Sequence, residues 1–178
     1  MKQLNNYISE ALIKKDTKID KYTYHPKDGQ ELRTLLEELI NKRGKDADLN
    51  DIDTSAIKNM GWLFEDLDPH NIDISEWDVS KVEYMNYMFY RCKNFDCDLS
   101  KWDVRNLKNM ESIFHFCNSF KGNGVEKWDV RKVIDFNCAF FDCQNFDKDL
   151  NDWKVNKNAD LNGMFEYCKL KKFPDWYK

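Results

Sequence analysis

Apolar residues near the start of the chain fall on helical spacing. Leu32, Leu35, Leu36, Leu39 and Ile40 form one stripe, which predicts a helix over Gly29–Arg43. Asp28 with Glu31 three residues on reads as a capping box, Pro26 fits a start, and Gly44 supplies the stop. Upstream, Leu4, Tyr7, Ile8, Ala11 and Leu12 predict a shorter amphipathic helix, followed by a polar link around residues 14–20.

From residue 53 a longer period takes over. Trp77, Trp102, Trp128 and Trp153 lie 25, 26 and 25 residues apart, and Trp176 follows after 23. Phe64, Phe89, Phe114, Phe140 and Phe165 run at 25, 25, 26 and 25, and Cys92, Cys117, Cys143 and Cys168 at 25, 26 and 25. Three residue types share one register and one single-residue insertion. The extra residue falls in Lys121-Gly122-Asn123-Gly124, where glycines absorb it. The repeats are therefore 53–77, 78–102, 103–128, 129–153 and 154–176.

Within a repeat, Val82, Met85, Met88, Phe89 and Cys92 have the spacing of one helical face, as do Leu107, Met110, Ile113, Phe114 and Cys117. The second half reads as extended: 72–77, 97–102, 125–128 and 148–153. One such unit cannot bury its apolar face alone, whereas stacked copies can. The expected fold class is α/β: a short solenoid with a parallel β-sheet on one side, strands about 4.8 Å apart, short helices or helical turns on the other, and an α-helical N-terminal cap. Residues 1–47 form the helical segment and cap, and 48–178 the solenoid. The tryptophan, phenylalanine and cysteine rows are expected to point inward.

The string W-D-V-x-x-V/L-x-x-M-x-x-M/I-F-x-x-C-x-x-F is carried by Trp77-Asp78-Val79, Val82, Met85, Met88-Phe89, Cys92 and Phe95, with Leu99-Ser100-Lys101-Trp102 between copies. It resembles the BspA-like leucine-rich-repeat family, in its 25-residue subtype found in mycoplasma-like and gut bacterial surface proteins and their phages. The resemblance covers roughly residues 48–176. Departures are Leu67 and His70 in the first repeat, Phe136 and Ala139 in the fourth, and Asn158 in the last. Atypical terminal repeats are what capping requires. The resemblance implies a leucine-rich-repeat-like fold and ligand binding.

Composition narrows the chemistry. The net charge is −4, and the first 50 residues hold 10 basic and 9 acidic residues, which leaves −5 for the rest. That balance disfavours nucleic acid as a direct ligand. No secretory signal or apolar span is seen, so a cytoplasmic protein without membrane insertion is expected, in host cytoplasm or virion if phage-encoded. Close C-x-x-C pairs are absent, so the cysteines read as reduced and buried and no metal or cofactor is expected. Asp78, Asp103 and Asp129 read as turn residues that accept backbone N–H bonds, and Asp73, Asp98 and Asp149 as a solvated acidic column. His25, His70 and His115 recur in no pattern, and no phosphate loop or nucleophile elbow appears, so no enzyme is expected. His115, beside the inward Phe114, is expected to be exposed.

The expected function is non-catalytic binding of a protein partner through the strand face. Its variable positions are Asp73, Ser75 and Glu76, then Asp98, Ser100 and Lys101, then Glu126 and Lys127, then Asp149, Asn151 and Asp152. Two alternatives are a phage-encoded intracellular inhibitor of a host defence protein, mimicking nucleic acid through the repeats' negative charge, and a structural virion component.

Overall fold

The computed structural model describes residues 21–178, so the upstream helix expected around residues 4–12 lies outside the described residues. Helix α1 spans Gly29–Arg43. The Asp28 carboxylate accepts from the amides of Gln30 and Glu31, and the Glu31 carboxylate accepts from the Lys27 amide. These bonds satisfy the orphan donors of the first turn. At the other end the Gly44 amide donates to the Ile40 carbonyl at φ 91°, a conformation suited to glycine. Leu32, Leu36, Leu39 and Ile40 are buried in one core with Ile57, Met60 and Leu63. Arg33 also reaches over to donate to the carbonyls of Trp62 and Leu63.

Beyond α1 the chain winds in stacked irregular coils, and the expected parallel sheet is not formed. Among the described residues there is one α-helix, one 3-10 turn at Val125–Lys127 and no strand. The β-bridges between coils are isolated parallel ones, of which the longest column runs Asn59, Tyr84, Asn109, Asp135, Asp160. The α/β solenoid with a strand wall and repeated short helices is therefore corrected.

The backbone shows why. Tyr87 and Arg91, and their register equivalents in every coil, hold φ between 50° and 62°: Trp62, Ser112, Cys138 and Gly163 in one column, Asp66, Phe116, Asp142 and Tyr167 in the other. A left-handed residue every four positions breaks the unbroken i to i−4 ladder a helix needs. The amides of Met85, Tyr87, Phe89 and Arg91 instead donate to the next coil, at the carbonyls of Asn109, Glu111, Ile113 and His115, over 2.8 to 3.0 Å. The alternate amides of Met88, Tyr90 and Cys92 turn back on Met85, Tyr87 and Phe89. Helix-like apolar spacing thus comes from a chain that turns corners.

The second half of each coil loses its strand to local competition. Asp73, Asp98 and Asp149 accept from the amides two residues on, those of Ser75, Ser100 and Asn151. The amides of Trp77, Trp102 and Trp153 fold back three residues to Ile74, Leu99 and Leu150. Amides captured this way cannot serve a ladder.

The core is aromatic and continuous. Phe64, Phe89, Phe114, Phe140 and Phe165 stack at centroid distances of 5.1, 5.5, 5.6 and 5.6 Å, and all are buried. Each indole N–H of the row from Trp77 to Trp176 donates to a carbonyl of the preceding coil, as Trp102 does to Ile74 at 3.1 Å and Trp153 to Val125 at 2.9 Å. The cysteine row lies inside as well: Cys92, Cys117 and Cys143 are fully buried and donate to the carbonyls of Phe64, Phe89 and Phe114. The inserted residue of the third repeat is accommodated at Gly122 and Gly124, with φ of 80° and 94°.

Candidate functional site

The residues expected to bind a partner divide into two groups. Asp73, Asp98 and Asp149 are exposed, yet each carboxylate is engaged in its own turn. Hydrogen bonding, from Asn50 first and then Ser75, holds the Asp73 carboxyl below its ordinary range, and the Ser100 amide does the same for Asp98. The Ser75 hydroxyl donates to Asp73, and the Asn151 side chain both donates to Asp149 and accepts from the Asp175 amide. Ser100 is half-buried at the same register position. Glu126 accepts from the Gly124 amide inside the 3-10 turn. The second group, Glu76, Lys101, Lys127 and Asp152, is exposed in the column just before each tryptophan. There Glu76 and Lys101 form an ion pair.

A different surface emerges at the left-handed corners. Four of the left-handed residues, Trp62, Tyr87, Phe116 and Tyr167, are aromatic, and so are several of their neighbours. Trp62 stacks on Tyr87 at 3.9 Å with planes 4° apart, and both pack edgewise on Tyr90. Tyr90 meets His115 at 5.3 Å, His115 meets Phe116 and Phe141 at 4.4 Å each, and Phe141 meets Tyr167 at 5.0 Å. The stripe crosses all five coils. Its ends are open to solvent, Trp62 at 42% and Tyr167 at 72%, while the rings between are half-buried. The Arg91 guanidinium lies 5.0 Å over the Tyr90 ring, and Arg91, Lys93, Phe116, Asn118 and Asp142 line an open groove beside it.

His115 is half-buried within this stripe rather than exposed as expected. Burial, then the nearby Arg91 charge, lowers its pKa, which favours the neutral ring. Neutral imidazole packs among aromatic rings at little desolvation cost. One sequence signal pointed here: Tyr90, His115 and Phe141 share a register position, 25 and 26 residues apart.

The Cys117 and Cys143 thiols are pushed well up by burial, which keeps them protonated. Among the described residues no group of three or more His, Cys, Asp or Glu side chains is placed to hold a metal ion. Nor is any helix among them long and apolar enough to cross a membrane.

A family profile described as "Mycoplasma protein of unknown function, DUF285" matches residues 34–124 and, in a second match, 109–175. The two matches overlap within the third repeat and together take in most of the chain. No curated protein and no solved structure matches it.

Proposed function

The chain belongs to that mycoplasma family, and from the layout of its exposed rings we propose that it is a non-catalytic protein-binding module whose partner packs on the aromatic stripe. The continuous run of rings from Trp62 to Tyr167 is the observation that carries this reading. Tyrosine, tryptophan and arginine dominate the energetics of protein interfaces, and large exposed apolar patches are uncommon without a partner. Rings already stacked on one another lose little side-chain entropy when a partner docks. The exposed column of Glu76, Lys101, Lys127 and Asp152 contributes charge to a separate rim. Within the wider BspA-like group the repeats fit the 25-residue subtype, on the common register of tryptophan, phenylalanine and cysteine. Six free cysteines, four of them buried, support a working place in a reducing compartment.

Benzoylphenylalanine placed at Tyr90, at Tyr167 and, as control, at the exposed Ile134 tests the proposal in the native cell. Light should crosslink one and the same protein at Tyr90 and Tyr167 and leave the Ile134 position bare. Crosslinks of equal yield at all three positions, or none at the tyrosines, would overturn it.

A further inference from the structure

Each coil turns a corner at its tryptophan, or at Ile52 in the first, and the charge of the register positions around that corner changes sign along the stack. Asp51 and Asp53 make the first corner −2; Glu76, Asp78 and Lys81 make the second −1. The sign then reverses. Lys101, Asp103 and Arg105 give +1, Lys127, Asp129, Arg131 and Lys132 give +2, and Asp152, Lys154 and Lys157 at the fifth corner give +1. The third and fourth corners line one open groove, so a chain of net charge −4 carries a local patch of +3.

The cations of the groove are exposed and in part unspent. The Asp129 carboxylate holds the Arg131 guanidinium in a two-point grip, Nε at 2.8 Å and Nη2 at 2.6 Å, and Asp103 holds Arg105 through Nε at 2.8 Å. Each guanidinium keeps N–H groups that no described residue takes, Nη1 and Nη2 of Arg105 and Nη1 of Arg131. Lys127 forms no ion pair with any described residue, and Lys132 bonds only the Asn106 side-chain oxygen.

We propose that this groove binds an acidic peptide: an extended segment whose Asp or Glu side chains cross the third and fourth corners. The guanidinium N–H groups that Asp103 and Asp129 leave free, with the unpaired Lys127 ammonium, are donors for a carboxylate. Backbones bridged from coil to coil lie about 5 Å apart, while same-face side chains of an extended peptide repeat at about 6.6 Å, a mismatch that flexible lysines absorb. On the N-terminal side Glu76 and Asp78 of the second corner repel a polyanion that continues along the stack. That limit favours a short acidic peptide over a nucleic-acid strand. The inference rests on charge and is independent of the aromatic stripe.

The test is fluorescence anisotropy of a labelled oligoglutamate peptide with the full chain, in low and high salt, with oligoglutamine and oligothymidylate as comparison probes. Oligoglutamate should bind in low salt and be released in high salt, and oligoglutamine should not bind. Lys127→Glu combined with Lys132→Glu should weaken binding about ten-fold or more. Lys58→Glu on another column, and Tyr167→Ala in the stripe, should leave it unchanged, which separates this site from the proposed protein-binding surface. Both reversed lysines are exposed, and an unaltered thermal transition verifies the fold. The proposal is overturned by no binding in low salt, by equal loss from Lys58→Glu, by oligothymidylate binding as tightly as the peptide, or by light scattering that shows the groove occupied by a second copy of the chain.

Discussion

The Cys117 thiol donates to the Phe89 carbonyl of the preceding coil at 2.9 Å, so the cysteine row ties coil to coil as well as filling the core. Burial raises every thiol in the row, Cys168 up to about 11 from an ordinary 9.0; off the row, Cys97 is raised equally far. A folded pKa above the unfolded one means stability that is complete below pH 9.0 and lost as pH rises through about 11. Thermal melts should therefore weaken across that window, and Cys168→Ala should flatten the decline. Under native conditions a thiol reagent should modify the half-buried Cys138 well before Cys117 or Cys143. Equal labelling rates for all three would contradict the inward row.

The indole hydrogen bonds make a graded prediction. Trp153 donates to Val125 over 2.9 Å, whereas Trp128 reaches Leu99 only at 3.4 Å, beyond the usual range. Replacing either by Phe removes the same atoms, so the difference isolates the bond. Trp153→Phe should cost about 0.5–1 kcal/mol more than Trp128→Phe in urea unfolding. A reversed order would mean that ring packing alone sets the cost.

Gly124 is fixed by space as well as by φ. A Cβ there would sit 2.2 Å from the Ser100 amide nitrogen and 2.3 Å from its Cα, both backbone atoms that cannot step aside. Gly124→Ala should destabilise by on the order of 3 kcal/mol or more. Gly61→Ala, whose nearest obstacles are Asn side-chain oxygens at 3.1 Å, should cost under about 1 kcal/mol. Comparing the two midpoints in denaturant checks both.

What could be read from the sequence, and what could not, follows from the same geometry. Inward rows of Trp, Phe and Cys declare themselves because a stacked core demands the same residue type at the same register. The Gly29–Arg43 helix declares itself through its stripe and its Asp28 cap. The coil backbone does not, because apolar residues at i, i+3 and i+7 suit both a helix and a chain with a left-handed residue every four positions. Those left-handed positions hold Tyr87, Arg91, Ser112 and Phe116, residues with no preference for such a conformation, and only Gly163, Asp66 and Asp142 hint at it. The missing strands were partly legible, since Asp98 followed two residues later by Ser100 is a turn signature like that of Asp78 and Ser80. The aromatic stripe was hidden because its members come from three register columns and differ from coil to coil.

At the acid end the turn carboxylates set the behaviour. Asp129 is held down to about 2, first by the Arg131 guanidinium and against the opposing effect of burial. Asp73, Asp98 and Asp103 are lowered too. A folded pKa below the unfolded value gives stability that is full above pH 3.8 and lost as pH falls toward about 2. The Asp129 side chain is 38% exposed, so solvent screens its pair and the contribution stays under about 1 kcal/mol. Asp129→Asn keeps an acceptor for the Arg131 amide but gives up the charge. Its urea midpoint should lie slightly below that of the parent at neutral pH, and the two curves should converge as pH approaches 2. Curves that stay parallel down to that pH would show that Asp129 acts by shape alone.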